Sequence, residues 1–60
     1  MMVYVDISFD DGKTIETKEF HSPKTALRFM YAMTYKGYFI LSYRADDIFD
    51  SEWLDKRFKL

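Results

Sequence analysis

The sequence predicts an α+β fold of β-β-α-β order. It comprises a three-stranded antiparallel sheet of order 2-1-3, one helix packed on it, and a short C-terminal helical segment. Three observations carry this reading. Met2 to Phe9 alternates apolar and polar side chains with the period of a strand. Ser22-Pro23 opens a stretch of helical spacing that runs to Gly37. Tyr38 to Ala45 is a further apolar run of strand length. A chain of 60 residues makes one domain, expected to span 1–60.

In the first strand Val3, Val5, Ile7 and Phe9 share one face, and Met2, Tyr4, Asp6 and Ser8 the other. "DDGK" at Asp10 to Lys13 follows. Gly12 suits the left-handed position of a three-residue bulged turn, a register that sets Ile7 opposite Ile15. A two-residue loop sets Glu16 there instead, on the apolar face, and is the less favoured alternative. The second strand, Thr14 to Phe20, is mostly polar, as an edge strand should be.

Ser22 is the expected N-cap, Pro23 the first helical residue and Gly37 the residue that ends the helix. Projection at 100° per residue puts Ala26, Leu27, Met30, Met33 and Thr34 on one stripe, flanked by Phe29 and Tyr31. Lys24, Arg28, Ala32, Tyr35 and Lys36 face away. In the third strand strict alternation sets Tyr38 and Ile40 on one face and Phe39, Leu41, Tyr43 and Ala45 on the other. Both faces begin apolar, which is more than a single helix needs to cover. After it, "ADDIFDSEWLDKRFKL" reads as a turn and a short helix capped by Asp50 or Ser51. Phe49 with Trp53, and Leu54 with Phe58, are four apart. The alternation of Leu54, Phe58 and Leu60 leaves a fourth strand as the alternative.

A domain this small buries about 60% of its unfolded surface and has a thin stability margin. Cysteine is absent and there is one histidine, so of the usual supports self-association remains. The lack of Cys fits a reducing cytoplasm. Neither a signal peptide nor a membrane span is expected from the apolar runs present. A formal net charge of −1 gives no electrostatic case for nucleic acid or membrane.

The charges are unevenly placed. Residues 1–20 hold five acids and two bases. Residues 21–45 hold four bases (Lys24, Arg28, Lys36, Arg44) and no acid, and residues 46–60 hold five acids and three bases. Such a pattern means either internal pairing, the simpler reading, or a polarised surface.

No cofactor or metal motif is expected. His21 stands before a helix cap, outside any nucleophile arrangement. Asp46, Asp47, Asp50 and Glu52 lack the Gly and terminal Glu of a calcium loop, and both glycines have turn duties. The residues therefore point to a non-enzymatic protein. The candidate partner-binding residues are aromatics beyond the needs of the core (Tyr35, Tyr4, Tyr38 or Tyr43, and one of Phe29 and Tyr31) and the acidic group Asp46, Asp47, Asp50 and Glu52 with Trp53. The partner is a second copy or another protein. Acids around apolar anchors also fit an inhibitor that mimics nucleic acid. Direct nucleic-acid binding through the dispersed bases is the weakest option.

"RFMYAMTYKGYFILSYRADD", with "SEWLDKRF" behind it, resembles small early or accessory proteins of bacteriophages and prophages of Gram-positive bacteria. The resemblance covers roughly the last two thirds of the chain and transfers no site residues. It implies a cytoplasmic location in a host bacterium and action by binding, often to a host enzyme.

Overall fold

The computed structural model describes residues 2–58. Its elements are β1 (Val3–Ser8), β2 (Glu16–Phe20), α1 (Pro23–Tyr35), β3 (Phe39–Ala45) and α2 (Ile48–Arg57). The strands form one antiparallel sheet in the order β2-β1-β3, the order that the sequence predicts. Both helices pack on the same face. Val3, Val5, Ala26, Met30, Leu54 and Phe58 form the buried cluster there, and Phe20, Leu27, Phe29, Ile40, Tyr43, Ala45 and Trp53 close around it.

The ends of α1 follow from local chemistry. Ser22 has extended backbone and its Oγ accepts the Thr25 N–H at 3.3 Å. At the other end Gly37 takes φ +93°. The Gly37 N–H donates to the Thr34 carbonyl and the Tyr38 N–H to the Met33 carbonyl, both at 3.0 Å. That pair of bonds satisfies two of the carbonyls every helix end leaves over. Ala26 and Met30 are buried, Leu27 and Met33 half-buried, and Thr34 is exposed. Thr34 thus falls outside the core stripe in which the spacing placed it.

The β1–β2 hairpin turns more tightly than expected. Asp11 and Gly12 both have positive φ, 60° and 89°, and the Lys13 N–H donates to the Asp10 carbonyl at 3.4 Å. Positive φ at both central residues is the pattern of a two-residue hairpin turn whose twist matches the strands, and Asp-Gly favours it. The register follows: Ile7 lies opposite Glu16 rather than Ile15, and β2 begins at Glu16. Polar bonds at the turn hold it. The Gly12 N–H donates to Ser8 Oγ at 2.7 Å and the Thr14 N–H to Asp10 Oδ1 at 2.7 Å. Glu16 costs little on this face because it stays exposed and pairs with Lys18 at 3.4 Å. Phe9 lies outside β1 and is exposed, not part of the core.

A bulge reassigns β3. Val5 lies opposite Tyr43 and Asp6 opposite Ser42, but Ile7 lies opposite Ile40, leaving Leu41 as the extra residue. The strict alternation therefore fails. Ile40 joins Tyr43 and Ala45 on the helix face, while Phe39 and Leu41 are exposed. Tyr38 precedes the strand.

The C-terminal segment is helical through Arg57, not a fourth strand. Leu60, on which that alternative partly rested, lies outside the described residues. The cap is Asp47, three residues earlier than Asp50: its Oδ1 accepts the Phe49 N–H at 2.9 Å. Asp50 stands in the first turn, and Lys56 and Arg57 in the last, the charge order that a helix dipole favours.

Two outcomes test this arrangement. Met30→Asp buries a carboxylate among apolar side chains, which costs several kcal/mol, comparable to the whole margin of a small domain. The variant is expected to lose its cooperative melt in circular dichroism; a melt like the parent's refutes the helix orientation. At Gly12 an added Cβ meets nothing within 4 Å, so backbone strain alone decides the effect. Gly12→Val should be less stable than Gly12→Asn by on the order of 1 kcal/mol, read from urea melts. Equal midpoints would mean that the left-handed turn does not matter.

Candidate functional site

Three of the candidate aromatics make contacts within the fold, and of these Tyr31 stays 49% exposed. Phe29 lies tilted against Phe20, ring centroids 5.0 Å apart, at the rim of the core. Tyr31 and Tyr43 both meet the Phe58 ring, at 5.7 and 6.0 Å. Their hydroxyls serve the end of α2. Tyr31 donates to the Arg57 carbonyl at 2.6 Å. Tyr43 lies 2.9 Å from the Phe58 carbonyl and 2.7 Å from Asp55 Oδ1, with one proton for both. Burial first, then the hydrogen bond to Asp55 and its charge, push the Tyr43 phenol up from 10.0 to about 12. Trp53 is half-buried on the core, with the Arg57 guanidinium 4.1 Å from its ring centroid.

The other face of the sheet is organised by Asp6. Its cross-strand neighbours Thr17 and Ser42 both donate to it at 2.6 Å, and Arg44 binds Oδ2 at 2.9 Å. The Ser42 and Thr17 hydrogen bonds, then Arg44, hold the Asp6 carboxyl below its ordinary 3.8 against a smaller opposing effect of burial. That contribution to stability is complete above the ordinary value and fades as acid protonates the folded form. Arg44 also lies over Tyr4, 5.1 Å from the ring centroid. These groups are fully engaged with one another.

Apart from Ile15 beside the hairpin turn and Tyr31 on α1, the exposed large hydrophobic side chains fall into two surfaces. The first is at the free edge of β3. Phe39 is 51% and Leu41 42% exposed, and just beyond them Phe9 and Tyr38 meet edge to face at 4.9 Å. The second is the outer side of the helices. Tyr35 is 94% exposed near the end of α1, and Ile48 and Phe49 are 67% and 73% exposed at the start of α2. Of the predicted acids, Asp46 and Glu52 are exposed, Asp50 is half-buried, and Asp47 is occupied as the cap. Among the described residues only two ion pairs form, Lys18–Glu16 and Arg44–Asp6. Apart from Arg44, internal pairing therefore does not account for the basic middle and the acidic tail.

The candidate residues thus separate. Phe29, Tyr43 and Trp53 pack at the rim of the core, Tyr31 touches Phe58 yet stays exposed, and Tyr35, Tyr38, Asp46 and Glu52 stay on the surface. Phe9, Phe39, Leu41, Ile48 and Phe49 join the surface set unforeseen. The apolar run Phe39-Ile40-Leu41 did carry a signal, since three consecutive apolar residues cannot all face one layer. No pocket opens among the described residues, and no group of three His, Cys, Asp or Glu side chains gathers there to hold a metal ion. Among the described residues no helix is long and apolar enough to cross a membrane. No protein-family model, curated protein or solved structure matches this chain.

The Tyr43 hydroxyl should matter to stability and to its pH dependence. Tyr43→Phe removes the hydrogen bond and is expected to cost about 1 kcal/mol at pH 7, read by urea denaturation. The folded state holds this proton longer than the unfolded chain, so the stabilisation is complete below about pH 10 and is lost between 10 and about 12. Subtracting the variant's alkaline profile from the parent's isolates that loss. Parallel profiles would refute the assignment.

Proposed function

We propose that the protein is a small non-enzymatic interaction module whose β3 edge accepts an extended segment of a protein partner. The observation that carries this reading is the asymmetry of the two sheet edges. β2 is lined by Glu16, Lys18 and Glu19, charges of the kind that keep an edge from pairing. β3 has β1 as its one neighbour in the sheet and carries exposed Phe39 and Leu41. Its single charge, Arg44, is bound to Asp6.

An extended peptide added to such an edge gains main-chain hydrogen bonds for affinity, and alternate side-chain contacts for selectivity. The Phe9–Tyr38 pair lies just past the end of β3, where it can hold an apolar or aromatic partner side chain. The resemblance to small phage and prophage accessory proteins adds support: such proteins work in the host cytoplasm by binding, frequently to a host enzyme. On this reading the module acts by occupying a segment of that partner.

Peptide-display selection against the immobilised protein, followed by amide exchange on each selected complex, tests the proposal. Selected peptides should slow exchange along 39–45, and Leu41→Lys should weaken their binding about tenfold or more while keeping the parent's melting curve. Peptides that bind Leu41→Lys as well as the parent, or that leave β3 exchange untouched, would overturn the reading.

A further inference from the structure

We infer that two copies of this chain pair across their helical layers, with α1 of each lying on α2 of the other. The inference concerns a different face from the β3 edge and does not depend on it.

The first ground is charge. Along α1, Lys24, Arg28, Ala32 and Tyr35 project within about 80° of one another, and all four are exposed. No acid occurs in that helix. Along α2, Ile48, Phe49, Glu52 and Lys56 project within about 100°, opposite the buried Leu54, and Asp46 stands just before them; Lys56 lies in the last turn, away from the Asp46 end. One stripe is basic and aromatic; the other is apolar and acidic over its first half, with Asp46 and Glu52, and carries one base, Lys56, at its far end. None of Lys24, Arg28, Asp46 and Glu52 has an ion-pair partner among the described residues.

The second ground is placement. The two helices are neighbours on one face of the sheet, so both stripes belong to a single layer. A two-fold rotation sets the basic stripe of each copy on the acidic stripe of the other, and every contact is made twice. A stripe pair of this kind in one chain is complementary to itself only in a second copy.

The third ground is apolar surface. Tyr35, Ile48 and Phe49 lie within these stripes and are the three most exposed large hydrophobic side chains described. Two helices of 13 and 10 residues side by side cover a patch of roughly 20 by 20 Å. That lies at the small end for specific interfaces, so the pairing should be weak and salt-sensitive.

Sedimentation equilibrium on the full chain tests the inference with three proteins. These are the parent, Lys24→Glu/Arg28→Glu, and Asp46→Lys/Glu52→Lys. The parent should dimerise at about 300 µM in low salt and dissociate as salt rises. Each variant alone should associate at least about tenfold more weakly, because like charges then face each other. Mixed in equal amounts the two variants should form a heterodimer, since one presents only acids and the other only bases at these positions. Circular dichroism checks that both variants fold.

A monomeric parent overturns the inference and leaves the acidic stripe for a basic partner of another kind. So does a dimer that neither variant weakens, or a mixture of variants that stays monomeric. Leu41→Lys serves as the control for the other face: it should dimerise like the parent. If it alone abolishes the dimer, the copies meet at the β3 edge and the helical pairing is wrong.

Discussion

The contact of Phe58 with Tyr31 and Tyr43 is the one on which the rest of the core depends. A single helix is about 10 Å across, narrower than a three-stranded sheet with its side chains. α1 brings Ala26 and Met30 to the centre, and α2 must cover what α1 leaves near β3. Leu54 and Phe58 do so, both buried. A ten-residue helix has little stability of its own, so its position must come from tertiary contacts. The two tyrosine hydroxyls supply direction as well as contact, because they engage the Arg57 and Phe58 carbonyls at the helix end. Tyr43 is thereby consumed in closing the fold, while Tyr31 contributes its hydroxyl and one ring contact and keeps about half of its surface exposed.

That consumption also explains which parts were legible in the sequence. The faces of β1 at Val3, Val5 and Ile7, the Ser22-Pro23 start of α1 and its Gly37 stop all rest on chemistry local to a few residues. The sheet order followed from connection rules. The β3 bulge has no such local mark. Leu41 is an ordinary strand residue, and the extra position is decided by how Ile40 and Tyr43 both reach the core. The hairpin register failed for a different reason. The apolar face argues against Glu16 opposite Ile7 and the Asp11-Gly12 turn preference argues for it; the turn prevails because that end of the face is open enough for Glu16 to stay exposed. The cap of α2 was ambiguous because Asp46, Asp47, Asp50 and Ser51 are all capping types, and three residues separate Asp47 from Asp50.

The surface shows the same division. Tyr35, Asp46 and Glu52 were legible as exposed because they lie beyond the core stripe or in an acidic run, whereas alternation alone does not choose between Tyr38 and Tyr43. Phe39 and Leu41 were legible only as part of a run too apolar for one layer; which of its residues stay exposed is a consequence of the bulge. Asp6 was not legible as a hub either. Its role needs Thr17 and Ser42 directly opposite it on both flanking strands, a fact of register rather than of composition. By engaging Arg44, Asp6 removes the one base of the middle third that faces the sheet. The remaining bases are left on α1, Lys24 and Arg28, and at its C-cap, Lys36.

Seven hydrophobic side chains are buried among the described residues, whereas nine large ones are exposed. In a domain of ordinary size the balance runs the other way, and scattered exposed hydrophobics need no explanation. Here the core alone offers a thin margin, so surface that a partner covers contributes directly to the stability of the folded state by mass action. The two surfaces lie on different sides, one along the outer edge of β3 and one over the helices. Occupying one leaves the other open. If both are used, pairing at the helical layer carries two β3 edges in one particle. Two segments of a multivalent partner would then be bound with a gain set by effective concentration rather than by any new contact.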